Sequence, residues 1–372
     1  MPVSNRRDFL KLSGLSIVPA ILPSTTLFAK QQPGEEPFAD EARIDLFGDG
    51  RMYSPAEYID VLKQMNTVAP IERDGYGNGG AVAALEKKIE TITGKEKAIF
   101  MPSGTMANQL AIAVLSGENT KVFVQDLSHV YRDEADAAQS VFEKRLMPLA
   151  MGQTYFTADM LKEAIDSLGS LEVFKSGIGA VSIENPVRRA DGRLVPIGEI
   201  KKISVYCRTN NIKLHLDGAR IYMSAAWEGT SIKEYASYFD TMYISLYKYL
   251  GAAAGAVLCG DKAVIEKMPH LIKIHGGNMY SNWCNAAMAM HRLEGIDERM
   301  KNVVSRSAEI FAAINKMPGI KITALDGGTN IHQLQLAKEV DGRKLQSKLR
   351  TDYFIRMPGT DKSNKTFITA NE

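Results

Sequence analysis

A carboxylate and an amine, Asp217 and Lys248, are the residues of this chain best suited to chemistry. Asp217 opens Asp217-Gly218-Ala219-Arg220, and Lys248 sits within Ser245-Leu246-Tyr247-Lys248-Tyr249-Leu250-Gly251. Each group follows a short apolar run, Ile212 to Leu216 and Thr241 to Leu246, that reads as a buried strand. Open α/β sheets bind ligands where such strands end. An amine makes a Schiff base with an aldehyde, and a carboxylate holds an aromatic ring nitrogen protonated. Together they suit pyridoxal 5′-phosphate. The two charges would serve equally well as a core ion pair, so the reading requires a phosphate cradle and a group to stack on the ring.

Both have candidates upstream. Lys97 to Met101 reads as a strand, followed by Pro102-Ser103-Gly104-Thr105-Met106-Ala107-Asn108-Gln109 and an apolar helix over Leu110 to Leu115. A strand, a turn of small residues and a helix make an anion site, with free N–H groups, the positive helix end and hydroxyls aimed at one spot. Phosphate would sit on Ser103, Gly104 and Thr105. The chain has no G-x-G-x-x-G and no Walker lysine here, so nucleotide readings lack their fingerprints. Val122 to Gln125 is another strand, and His129 lies just beyond it, a candidate for ring stacking and for proton transfer. Gly179 to Glu184 is a further strand, after which Asn185 is a candidate donor to a cofactor phenolate.

Alternating strands and helices from about Lys97 to Met268 must position these groups, which implies an α/β fold with a mostly parallel sheet. Ile44 to Ser54 reads as a strand running into a Gly-rich turn, and Pro55 opens a helix with Ser54 as N-cap. A long helical region is expected from Trp283 to about Lys316, then a small α/β domain with strands near Ile320 to Ala324 and Ile331 to Leu336. Ala190-Asp191-Gly192-Arg193 reads as a surface hairpin. At the other end, Asn5-Arg6-Arg7-Asp8-Phe9-Leu10-Lys11 precedes a mildly apolar segment, Leu12 to Leu22, that Gly14 and Pro19 interrupt. It is too short to span a membrane and resembles a twin-arginine export signal, so the protein is expected to be exported to the periplasm. The expected layout is a signal over 1–30, a linker over 31–43, an N-terminal segment over 44–70 packing with the small domain, a large cofactor-binding domain over 71–275, and an interdomain helix with the small domain over 276–372.

Composition narrows the partners. The 372 residues carry 45 basic and 43 acidic side chains, net +2, without a basic stripe interleaved with aromatics, which argues against nucleic acid. Three widely spaced cysteines, Cys207, Cys259 and Cys284, give neither a disulfide framework nor a zinc pattern, and no metal is expected.

Taken in order, these motifs resemble the threonine aldolase family of fold type I, aspartate-aminotransferase-like, pyridoxal phosphate enzymes. The likeness runs from about Ile44 to Met279. Pro102 to Asn108 resembles the family's phosphate loop, Ser128-His129-Val130-Tyr131 the segment with the stacking histidine, His215 to Ile221 its D-G-A-R motif, and Ser245 to Gly251 its lysine motif. The resemblance implies a large domain with a seven-stranded-type sheet plus a smaller C-terminal domain. It also implies a homodimer or homotetramer, with the loop His275 to Tyr280 reaching a neighbour's phosphate. Lys248 would carry the cofactor, Asp217 would keep its ring nitrogen protonated, and His129 would stack on the ring, with His129 or a water it orders serving as base. Arg220, a cofactor-binding candidate as well, would pair with the substrate carboxylate, bidentate by preference, and Asp49 is a second substrate-binding candidate. The implied reaction cleaves a β-hydroxy-amino acid to glycine and an aldehyde. A β-elimination or a racemisation would use the same cofactor, and a non-catalytic binding protein would keep the fold alone. The substrate side departs from the family: Gly48-Asp49-Gly50 stands for S-D-T, Tyr76-Gly77-Asn78-Gly79 for Y-G-D-D, Glu184-Asn185-Pro186-Val187 for E-N-T-H, and Met279-Tyr280 for M-R. No arginine occurs in Lys365 to Thr369.

Overall fold

In the computed structural model, which describes residues 43–372, the apolar runs of the central region become strands buried on both faces, as their lack of alternation requires. The strands in chain order are β1 (Ile44–Asp45), β2 (Lys97–Met101), β3 (Lys121–Gln125), β4 (Arg145–Leu149), β5 (Ile178–Glu184), β6 (Lys213–Asp217), β7 (Thr241–Ser245), β8 (Ala256–Gly260), β9 (Ile320–Ala324), β10 (Ile331–Leu336), β11 (Ile355–Arg356) and β12 (Lys365–Thr369). Seven of them form one sheet in the order β2-β8-β7-β6-β5-β3-β4. β8 is antiparallel to β2 and β7, and every other neighbouring pair is parallel. The carboxyl ends of β2, β3, β5, β6 and β7 therefore open along one edge. This is the mostly parallel seven-stranded sheet expected of fold type I.

Helices cover both faces of the sheet. On one face, the helix Gly80–Thr93 packs Val82, Leu85 and Ile89 over β2 and β8, in the same large core that holds Val181 and Ile183 of β5. On the other, the helix Gly104–Ser116 buries Leu110 and Ala111 with Met101, Tyr243 and Leu258. Successive strand residues point to opposite faces, so β5 can feed both layers. A second, antiparallel sheet, β12-β10-β9, has its own small core of Ile322, Leu334, Leu336, Met357 and Ile368. β1 pairs in parallel with β11, which joins the start of the described chain to this C-terminal part.

Four local expectations change. Ile44 to Ser54 pairs only over two residues, because Gly48 and Gly50 adopt positive φ (89° and 86°) and turn the chain away. The helix after β2 starts at Gly104, well before Leu110, with Ser103 as its N-cap. The long helical region is two helices, Trp283–Leu293 and Ile296–Ile314, broken where Gly295 takes φ 66°. The Ala190–Arg193 turn is not a free hairpin: a short 3-10 turn and one bridge, Val187 to Arg193, are pinned by the Thr329 hydroxyl donating to the Gly192 carbonyl at 2.7 Å. The expected export signal, and all but the last residue of the linker, lie outside the described residues. Among those described, no helix is long and apolar enough to cross a membrane.

Candidate active site

At the carboxyl edge of the large sheet lies a cavity of about 300 Å³, lined by Pro102 to Thr105, His129, Glu134, Glu184, Asp217, Ala219, Arg220, Tyr243, Tyr247, Lys248 and Ala253 to Gly255. Its size is at the lower end for small-molecule sites. Five strand ends supply it, so Ser103, Gly104, Thr105, His129, Asp217, Arg220 and Lys248, far apart in sequence, line one cavity.

The anion end is built by the chain after β2. Ser103 caps the helix, its Oγ accepting from Met106 N at 3.2 Å. Its hydroxyl proton stays available to a ligand, next to the N–H groups of the first helical turn. Gly104 has a steric cause: a Cβ there would lie 2.2 Å from the Tyr243 hydroxyl. Tyr243, projecting from β7, thus forms a floor against which only glycine fits.

Across the cavity, Asp217 is buried at the end of β6. Its Oδ1 accepts from Ala219 N at 3.1 Å and its Oδ2 from Asn108 Nδ2 at 3.0 Å. Asn108 Nδ2 donates also to Glu134 Oε1 at 2.7 Å. Glu134 in turn holds His129 Nδ1 at 2.9 Å, which leaves Nε2 as the uncommitted ring nitrogen. The hydrogen bond to Glu134 raises the His129 pKa against the opposing effect of burial. His129 N donates to Glu184 Oε2 at 2.7 Å. Burial, then the neighbouring Asp217, push the Glu184 carboxyl up to about 7. Possible ligand atoms of His129, Glu134 and Asp217 lie within 4.8 Å of one another. The Asn108 amide, donating to both carboxylates, already accounts for that closeness.

Lys248 is 6% exposed. Burial, then the charge of Arg220, lower its amine to about 8. Arg220 does not stand open. Its Nε and Nη2 donate to Asp49 Oδ1 and Oδ2 at 2.6 and 2.9 Å. Burial works against the charge of both, yet this paired contact holds Asp49 below and Arg220 above the ordinary values. The bidentate edge expected to take a substrate carboxylate is therefore closed by Asp49, and a ligand would meet the Nη1 end.

Asn185 lies outside the cavity wall. Its Oδ1 accepts from Val195 N at 2.8 Å. Glu184, one residue earlier, lines the cavity, and the pleat turns its successor the other way. Asn108, Glu134 and Glu184 are site residues that the sequence reading missed. The acidic run at Asp133 was a signal for Glu134: the helix His129–Arg132 ends after one turn and left-handed Ala135 and Asp136 turn the chain, so Glu134 faces the histidine. A further unforeseen contact secures Asp49. Asn371 Nδ2 donates to Phe47 O at 3.1 Å and its Oδ1 accepts from Gly50 N at 3.3 Å, clamping the Gly-rich turn.

The residues fit the cofactor suggested by the sequence. A buried amine with a lowered pKa, a buried carboxylate presented as an acceptor, and a capped helix terminus occupy separate walls of one cavity. The donor set answers an aldehyde, a ring nitrogen and a phosphate.

Comparison with known proteins points the same way. The profile of the beta-eliminating lyase family matches residues 59–338. A low-specificity L-threonine aldolase of Candida albicans is 32% identical over 287 residues, 76% of this chain and 75% of that protein. An alanine racemase of Cochliobolus carbonum is 32% identical over 213 residues, 57% of this chain and 54% of that protein. Among solved structures, one from Listeria monocytogenes EGD-E, provisionally described as an L-allo-threonine aldolase, superposes with a TM-score of 0.74. It is 25% identical, and the match covers 89% of this chain and 91% of the other.

Proposed function

The chain belongs to the beta-eliminating lyase family, and from that premise we propose that it is a pyridoxal-phosphate-dependent lyase of the threonine-aldolase type. Its substrate class is a β-hydroxy-α-amino acid, cleaved to glycine and an aldehyde. The observation that carries this reading is the meeting of Lys248, Asp217, His129 and the Ser103–Thr105 helix terminus in a single cavity.

Bound there, the cofactor would supply an aldehyde for Lys248 and a conjugated ring to take the electron pair released from the substrate. The protein's own part is binding, orientation and proton handling. Lys248 presents an amine that is partly neutral near neutral pH, as a nucleophile must be. Asp217 would meet the ring nitrogen as an acceptor, and the first turn of the Gly104–Ser116 helix would receive the phosphate. Cleavage of Cα–Cβ requires a base for the β-hydroxyl proton. We assign it to His129 Nε2, whose other nitrogen is fixed by Glu134. Glu134 also raises the histidine's pKa, so the competent neutral form grows as pH rises. Arg220, steadied by Asp49, offers its remaining donors to an anionic group of the ligand.

Two further readings belong to this proposal. Arg6-Arg7 and the interrupted apolar segment after them support export by the twin-arginine route to the periplasm. Exposed Tyr76, Met279 and Tyr280 support a homodimer or homotetramer. Tyr76 and Tyr280 pack edge-to-face at 5.3 Å on adjacent loops.

The test is incubation of the cofactor-loaded protein with a panel of β-hydroxy-amino acids. Stoichiometric glycine and aldehyde support the proposal. Release of pyruvate, or inversion of alanine without carbon–carbon cleavage, would replace it with elimination or racemisation.

A further inference from the structure

We propose that Asn108 is a positioning residue that joins the two ends of the site. Its single amide nitrogen orients Asp217 toward the ring nitrogen and Glu134 toward His129. The proposal rests on the pyridoxal phosphate reading. It adds a residue that touches none of the reacting atoms.

Asn108 is fully buried on the Gly104–Ser116 helix. Its Nδ2 donates to Asp217 Oδ2 at 3.0 Å and to Glu134 Oε1 at 2.7 Å, so both amide hydrogens are committed to carboxylates. Its Oδ1 faces His215 Nε2 at 3.0 Å. Turning the amide over would set its oxygen against two acceptors, which fixes the orientation. His215 must then donate from Nε2, and its Nδ1 accepts from the Thr241 hydroxyl at 2.8 Å. Burial holds His215 neutral, with a pKa lowered to about 4, consistent with one N–H on its ring. His215 and Thr241 are both completely buried, so this side of the chain is shielded from bulk solvent. The order Thr241, His215, Asn108, then Asp217 and Glu134, leaves each group one choice of donor and acceptor. Two buried carboxylates would otherwise repel each other, and a donor shared between them lets both remain acceptors.

Two variants test this with apo-protein reloaded by titration. Asn108→Leu has nearly the same shape and no donor. Asn108→Asp keeps the shape, but donates one hydrogen at most. The probes are pyridoxal phosphate and its analogue with CH in place of the ring nitrogen, and the readouts are dissociation constants and the absorbance of the bound cofactor. In Asn108→Leu, affinity for pyridoxal phosphate should fall at least about tenfold, as expected for losing a buried hydrogen bond to a charged group. The analogue should bind wild type and variant within about twofold, the ordinary additivity error. In Asn108→Asp, affinity for pyridoxal phosphate should recover as pH is lowered and the new acid gains its one proton. Asn108→Asp holding wild-type affinity at every pH would overturn the proposal, even should Asn108→Leu fail to fold. Equal losses for both probes in Asn108→Leu would overturn it too, since that pattern is general loosening of the site. Failure of the wild type to take up pyridoxal phosphate would instead remove the reading beneath it.

Discussion

The amine of Lys248 is the group whose state the structure sets most specifically. Burial, then Arg220, lower it from 10.5 to about 8. At pH 7 that leaves roughly a tenth of the amine neutral, against about 3 parts in 10,000 for an ordinary lysine, a gain of about 300-fold. The corresponding free energy is roughly 3 kcal/mol. The perturbation is Arg220→Gln, which removes the neighbouring cation and leaves Asp49, 34% exposed on its side chain, without its ion-pair partner. Both changes favour the ammonium form, so the Lys248 pKa should rise, by about one unit for the loss of a nearby charge. The assay is the initial rate of pyridoxal phosphate uptake by apo-protein as a function of pH, with Lys248→Ala as the blank. The wild-type rate should climb through an inflection near 8. In Arg220→Gln the inflection should move up, with a slower rate at neutral pH. A wild-type inflection at the ordinary lysine value, or one that Arg220→Gln leaves in place or lowers, would refute the electrostatic account.

Other perturbations bear on the same site. Gly104→Ala puts a Cβ 2.2 Å from the Tyr243 hydroxyl and 2.5 Å from its ring carbon Cζ. Overpacking of this kind costs about 1–3 kcal/mol, seen as a lower melting temperature and weaker cofactor binding. Adding Tyr243→Phe should restore only part of it, because the ring carbon remains in the way. Glu134→Gln removes the partner that raises His129. The histidine should then lose its proton at lower pH, and the rising limb of the pH–rate profile should shift to the acid side; an unmoved limb would take the base role away from His129.

Much of this arrangement was legible in the sequence because open α/β sheets gather their chemistry at strand ends. Ser103, His129, Asp217 and Lys248 each follow a recognisable apolar run, and the sheet brings them to one edge. Side-chain direction was less legible. Glu184 and Asn185 are neighbours at the end of β5, and only the pleat decides that the acid faces the cavity while the amide faces Val195. Partners across the fold were not legible at all. Asn108 reads as the last residue of the phosphate-loop motif, and Asp49 as a substrate-side residue of a Gly-rich turn. Their roles depend on residues 109 and 171 positions away. Gly295 divides the expected long helix because its positive φ ends one helix and starts another, a choice the apolar periodicity on either side does not reveal.

The central claim is that Lys248 carries pyridoxal phosphate in this cavity. Its most direct test is borohydride reduction of the loaded protein, followed by peptide mapping by mass spectrometry. The account predicts one phosphopyridoxyl group per chain, on Lys248, and none in Lys248→Ala. Label spread over surface lysines, or a Lys248 peptide that stays unmodified in protein saturated with the cofactor, would contradict it.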